Sequence, residues 1–198
     1  MANWDENSQI LRDNLASALR EVRDAARSRN TPTASDAKQW HIRTMDGLTV
    51  PNPNWVGQFR GEVGLETIGV RIGPHEGVPP SRVKKKLEEF EHTLQEVLSK
   101  LDKHYAKGSE LDTDGLQAVI DVAAWAHAEW VRIHPFANGN GRTARLWANY
   151  VLIRYGLPPV VRLRPRPDDG YGDAGAAAMT GNWRATAAVF RRLLLEAS

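Results

Sequence analysis

His134-Pro135-Phe136-Ala137-Asn138-Gly139-Asn140-Gly141-Arg142-Thr143-Ala144-Arg145 carries more information than any other stretch of this 198-residue chain. It sets one imidazole, a glycine-rich turn and two guanidiniums side by side, where one helical pattern stops and the next begins. Such a turn feeding a helix offers main-chain N–H groups to an anion, most often a phosphate. Arg142 and Arg145 are predicted in the first turn of that helix, three apart and so on one face. Cations there oppose the helix dipole, which favours negative charge at its start. The arrangement makes sense if a polyphosphate supplies the charge. A base, a phosphate cradle and an arginine clamp point to phosphoryl or nucleotidyl transfer.

Outward from this stretch, helical spacing dominates. Leu116, Ile120, Ala123, His127 and Trp130 recur at fours and threes, with His134 as the next position of the stripe. Val83, Leu87, Phe90, Leu94, Val97 and Leu101 predict a long helix before it. Leu11, Leu15, Ala18, Val22 and Ala25 predict another near the start, with Asn3 and Glu6 as its capping pair. A short helix is expected from Ser35-Asp36 to Gly47, and Leu48 to Trp55, with two prolines, reads as irregular. Downstream, a helix from about Gly141 to Tyr155 stops at Gly156, and a last one spans about Trp183 to Glu196 with Asn182 as its cap. Ile68, Val70 and Ile72 alternate, which predicts a strand; Gly73-Pro74 and Gly77 to Pro80 break it, so a hairpin is expected rather than a sheet. The expected fold class is all-α, a helical bundle with one small β-hairpin.

Composition narrows the function classes. The chain carries 26 basic and 24 acidic residues, +2 net, with the signs interspersed. That gives no electrostatic case for nucleic acid or for a membrane surface. Lys84-Lys85-Lys86 reads as the solvated side of a helix. Zero cysteine excludes disulfides, thiolate metal sites and a cysteine nucleophile, and fits a cytoplasmic protein. The polar, acidic beginning is unlike a signal peptide. No apolar run approaches the ~18 residues of a membrane span.

Each candidate has a structural reading beside its chemical one. His134 extends an apolar stripe and could be a core histidine, but it adjoins the phosphate-type loop, where a neutral imidazole can take a proton from a hydroxyl. A helix C-terminus there would favour imidazolium. His127, two turns earlier, reads as core, since no third ligand completes a metal set. Phe136 reads as the anchor of the loop. Gly139 and Gly141 form turns and also permit close approach of a phosphate.

The stretch resembles the signature of the Fic (Fido) family: His, any residue, Phe, any residue, an acid, Gly-Asn-Gly-Arg, two residues of any kind, Arg. His134, Phe136, Gly139, Asn140, Gly141, Arg142 and Arg145 match it; Asn138 stands where the family has Asp or Glu. Gly57-Gln58-Phe59-Arg60 resembles the family's approach segment, Ile68-Gly69-Val70-Arg71-Ile72 its target-binding flap, and Tyr171 to Ala178 its closing helices. The resemblance implies a domain over 51–198 preceded by a helical extension over 1–50. It implies a protein adenylyltransferase that uses ATP, with His134 as base, Gly139 to Arg145 on the phosphates, and Mg²⁺ weakened at Asn138. The alternatives are a transferase of the same fold with another nucleotide or phospho-donor, and a nucleotide-binding module with little catalysis. The family is often restrained by a glutamate helix of set pattern. Glu6-Asn7 and Glu76-Gly77 lack its hydroxyl residue, and Glu76-Gly77 reads as a turn. A separate small inhibitor, as in a toxin–antitoxin pair, is therefore the expected partner beside the target protein.

Overall fold

The computed structural model describes Trp4 and residues 8–197. In chain order the described residues form α1 (Gln9–Arg27), α2 (Ala34–Met45), β1 (Arg71–Ile72), β2 (His75–Glu76), α3 (Pro80–His104), α4 (Thr113–Ile133), α5 (Asn140–Arg154), α6 (Tyr171–Met179) and α7 (Arg184–Ala197). This is the all-α bundle with a small hairpin that the sequence predicts.

α5 is the axis of the bundle. Every one of its residues except Gly141 is buried, so it lacks the one-sided pattern of a surface helix. α1 and α4 lie against it, and α6 and α7 close over α4. Aromatic rings fill the centre: Trp147 of α5 sits 4.6 Å from Trp40 of α2, 5.5 Å from Phe90 of α3 and 5.7 Å from Trp130 of α4, measured between ring centroids. Trp130 keeps its N–H satisfied inside by donating to Thr143 Oγ1 at 2.8 Å. α1 and α2, expected as an extension, bury Leu11, Leu15, Trp40 and Met45 in the same core as the rest.

Three local expectations change. The last core position is Ala26 rather than Ala25 in α1, and Leu98 rather than Val97 in α3. Spacings of four and three average 3.5 residues per turn, and a straight helix of 3.6 drifts away from that stripe by about 20° per heptad. The caps also differ. Ser8 Oγ accepts the Leu11 N–H at 3.1 Å and caps α1, while the expected pair Asn3 and Glu6 lies outside the described residues. α7 starts after Trp183, not Asn182, and the Trp183 carbonyl accepts the Ala187 N–H at 3.1 Å.

The hairpin is shorter than the Ile68–Ile72 alternation predicts. Only Arg71–Ile72 is strand, paired as Ile72 with His75 and Arg71 with Glu76. Glu76, read as part of a turn, belongs to β2. The reason lies at Ile68, whose carbonyl accepts from the Arg60 guanidinium at 3.2 Å and so leaves the ladder. Pairing does run one bond past β1, from the Gly77 N–H to the Val70 carbonyl at 3.1 Å.

Candidate active site

α4 ends at Ile133, and His134 turns into the left-handed region at φ 54° and ψ 57°. The ring therefore leaves the stripe that the sequence spacing extends through it. A non-glycine residue there is uncommon and must be held by its surroundings. The His134 N–H donates to the Trp130 carbonyl at 2.9 Å, and its own carbonyl accepts from Arg60 Nε at 2.7 Å. His134 Nδ1 lies 3.0 Å from the Val131 carbonyl. A carbonyl can only accept, so Nδ1 carries the proton and Nε2 keeps its lone pair. Burial, aided by the nearby Arg60 charge, lowers the ring to about 4 despite the Val131 bond. The helix terminus was expected to favour imidazolium; desolvation outweighs it, and the ring is neutral at pH 7.

The loop that follows is built largely from main chain. Gly139 caps α5 at φ 80°, and a Cβ there would lie 2.9 Å from Met45 Cε and 3.1 Å from His41 Nε2. Glycine is required twice, for conformation and for space. The Asn140 side chain is occupied at both ends by Phe136: Oδ1 accepts its N–H and Nδ2 donates to its carbonyl, each at 2.8 Å. Asn140 thus shapes the loop with its side chain. Phe136 is fully buried, stacked 4.1 Å from the His41 ring.

His41, which no sequence spacing singles out, is the second anchor. The Gly57 N–H donates to His41 Nδ1 at 3.0 Å, so Nε2 carries the proton and donates to the Asn138 carbonyl at 3.0 Å. Burial, and after it the Arg142 charge, hold this ring down near 4 against the pull of the Asn138 bond. The contact joins residues 97 positions apart, and no local pattern announces it.

Arg142 falls in the first turn as expected, Arg145 does not, and both have partners within the protein. Arg142 is the third residue of α5, whereas Arg145 falls in its second turn rather than its first. Arg142 is buried and donates to the Trp4 carbonyl at 2.6 Å. Arg145 is buried too, donating to the Leu163 carbonyl at 2.9 Å and the Tyr171 hydroxyl at 3.3 Å. Its Nε is buried without a partner. Among the described residues no carboxylate pairs with Arg145. A Cβ on Gly141 would lie 3.3 Å from Arg145 Nη1, which places the guanidinium beside the start of α5. His127 is core as expected, yet it reaches this arginine through one link: its Nε2 is 2.6 Å from the same Tyr171 hydroxyl. Burial and the Arg145 charge push His127 down to about 3.

The hairpin closes the other side. A Cβ on Gly77 would lie 2.7 Å from Val70 Cγ2, 3.1 Å from His134 Cβ and 3.2 Å from Arg60 Nη2, so β2 runs on directly over His134. With Val70 and Ile72 facing β2, the register turns the main-chain groups of Gly69 and Arg71 to the open edge. A groove of about 330 Å³ lies beside it, lined by Arg60, Gly69, Val70, Glu76, Gly77 and Val78 among others.

The donor set does not make a magnesium site of its own. Asn138 Oδ1 accepts the Gly139 N–H at 2.5 Å and so faces its own loop. Among the described residues no group of three or more His, Cys, Asp and Glu side chains could hold a cation. Mg²⁺ prefers carboxylate and phosphate oxygen, and an amide brings no charge.

The Fic/DOC family model matches residues 31–152. The protein adenylyltransferase Fic of Drosophila virilis is 31% identical over 157 residues, 79% of this chain and 27% of the relative. That of Nematostella vectensis is 54% identical over 50 residues, 25% of this chain and 12% of its own length. The chain thus spans about a quarter or less of these relatives. Among solved structures, Fic-1 from C. elegans superposes with a TM-score of 0.62 at 24% identity, over 96% of this chain and 53% of that one. BepC from Bartonella tribocorum, solved with AMPPNP, gives 0.62 at 19%, over 92% of this chain and 85% of that one. A family match over most of the span from α2 to α5, on a fold shared nearly end to end, makes this chain a member of the Fic/DOC family.

Proposed function

We propose that this chain is a protein adenylyltransferase, transferring AMP from ATP to a Ser, Thr or Tyr hydroxyl of a target protein. The observation that carries the reading is the pairing of two groups in one site. One is an imidazole whose Nε2 is free of its proton; the other is Arg145, buried with neutral partners only. A buried guanidinium without a counter-charge is costly unless a ligand completes it, and a triphosphate would. The relatives' name and the AMPPNP held by BepC support a nucleotide as that ligand.

His134 Nε2 takes the proton of the incoming hydroxyl, and its oxygen attacks the α-phosphorus. The bond from that phosphorus to the bridging oxygen breaks, and pyrophosphate leaves with its charge beside Arg142 and Arg145. The Gly139 to Arg145 turn holds the phosphates by main-chain N–H groups. The Ile68–Ile72 segment, through Gly69 and Arg71, pairs with the target's main chain as a sheet edge does. Bound phosphates bring negative charge near the imidazole, which raises its basicity from about 4 toward neutrality.

A magnesium ion arriving with the nucleotide would have to rely on phosphate oxygen for charge, since the Asn138 amide is turned to Gly139. That same contact favours the second reading, a transferase with another nucleotide or phospho-donor, or a binding module of low turnover. The site's motif belongs to 51–198 and leans on 1–50 through His41. A cytoplasmic setting and a separate inhibitory partner remain part of the proposal, the first supported by the absence of cysteine.

The test is incubation of wild type and His134→Ala with α-labelled nucleoside triphosphates and a cell lysate. The expected result is labelled protein from ATP, with the rate reduced about a hundredfold or more in the variant. Undiminished labelling by His134→Ala sinks the base assignment, and the added mass separates AMP from other groups.

A further inference from the structure

Arg60 is 1% exposed, yet no carboxylate meets it among the described residues; its guanidinium is spent on four carbonyls. Two belong to the end of α4: His134 at 2.7 Å from Nε and Ile133 at 3.0 Å from Nη2. Two belong to the hairpin's flanks: Ile68 before β1, at 3.2 Å from Nη1, and Val78 after β2, at 2.8 Å from Nη2. Its main-chain N–H donates to the Pro135 carbonyl at 2.7 Å. The last carbonyls of a helix lack partners within it and carry the negative end of its dipole, so a buried cation is well placed there.

The consequence is geometric. The guanidinium is a rigid planar fork, and here its prongs reach both arms of the hairpin and the residue that carries the base. β1 and β2 pair by only two residues each, and so short a ladder does not hold its own position. The distance between hairpin and imidazole is therefore set through Arg60. Gly77 adds to this, since anything larger would strike Val70, His134 and Arg60 together.

We propose that Arg60 is a positioning residue that fixes the target-pairing hairpin in register with the His134 ring. This rests on the transferase reading above, in which a hydroxyl delivered by that hairpin must meet Nε2. Arg60 touches neither nucleotide nor hydroxyl; it acts through the two segments that do. Its positive charge beside the ring, which works against imidazolium, is a second trace of the same proximity.

The test compares wild type with Arg60→Lys, which keeps the charge but loses the fork. In the protein alone, amide exchange at Gly77 is expected to quicken about tenfold or more, as one arm loses its charge-assisted bond. The His134 ring, followed by NMR in both proteins, is expected to titrate higher in Arg60→Lys than in wild type as water reaches it. AMPPNP affinity, read by calorimetry, stays within about twofold, because the loop from Asn138 to Arg145 is held by His41 and Phe136 instead. A merely structural role would lower AMPPNP affinity together with the unfolding temperature and leave no selective change at the hairpin. Gly77→Ala is the companion variant: it keeps the Arg60 guanidinium but wedges the hairpin off both it and His134, and should reproduce the exchange and titration changes. Unchanged exchange and titration in Arg60→Lys overturn the proposal, and so does loss of AMPPNP binding in step with them. If Arg60→Lys does not fold, unchanged exchange and titration in Gly77→Ala overturn it. Failure of the transferase reading shows separately, as no labelling by wild type, while the exchange and titration results still decide the role of Arg60.

Discussion

The two halves of α5 carry arginines of like burial and opposite circumstance. Arg154, in the last turn, meets Asp102 through Nη2 at 2.5 Å and Nε at 3.2 Å, and also donates to the Asn30 and Arg29 carbonyls and the Tyr150 hydroxyl. The helix dipole favours a cation there. Arg145, two and a half turns earlier by helical rise, has a carbonyl, a phenol and an orphaned Nε. The first arginine is matched within the protein, and the second has no counter-charge among the described residues. Hollows do not make this distinction: spaces of about 440 and 500 Å³ lie beside Arg154, both larger than the groove at the hairpin. What marks the site is unmatched charge, not volume.

Substitutions should separate the two ends. Asp102→Ala strands Arg154 and is expected to cost about 3 kcal/mol of stability, the lower end for a broken buried pair because Asp102 is a quarter exposed. Denaturant unfolding reads this, and AMPPNP affinity should not move. Arg145→Met should do the converse, weakening AMPPNP by about 2 kcal/mol through lost charge-assisted bonds, with the unfolding temperature almost unchanged. A stability loss in Arg145→Met as large as in Asp102→Ala would erase the contrast.

Acid offers a milder probe. His41, His134 and His127 are lowered to about 4, about 4 and about 3 by burial. The unfolded chain, with histidines near 6.5, then binds more protons than the folded one below that value. Their contribution is present in full above pH 6.5 and is lost as pH falls from there toward 4 for His41 and His134 and toward 3 for His127. The melting temperature should fall across that window, and a flat profile would contradict the neutral buried rings. The smallest effect is expected from Asn138→Asp, which supplies a carboxylate beside the loop. It should strengthen Mg²⁺ dependence of AMPPNP binding by about 1 kcal/mol or less; equal dependence in both proteins would remove Asn138 from the metal question.

How much of this is legible in the sequence depends on how local the cause is. The loop from His134 to Arg145 is contiguous, and its glycines, imidazole and arginines are read directly. The helices follow from their stripes, with errors at Ala25 and Val97 where the assumed period drifts. The left-handed turn at His134 is not readable, because no glycine marks it; it is enforced by Arg60 and Val131. His41 is silent for the same reason, and Arg60 is marked only as the end of the Gly57 to Arg60 segment, with no sign of what it binds. Their partners are carbonyls far along the chain, and a carbonyl has no side-chain identity to spot. Gly77 looks like any turn glycine until His134 is placed against it.

His41 carries a consequence for how the molecule comes together. One ring grips Gly57 on one nitrogen and Asn138 on the other, closing a loop of nearly a hundred residues with a single imidazole. The chain entropy lost in that closure is recovered only after α2 has docked. The loop from Asn138 to Arg145 is then expected to order late on refolding, after the bulk of helical signal has returned.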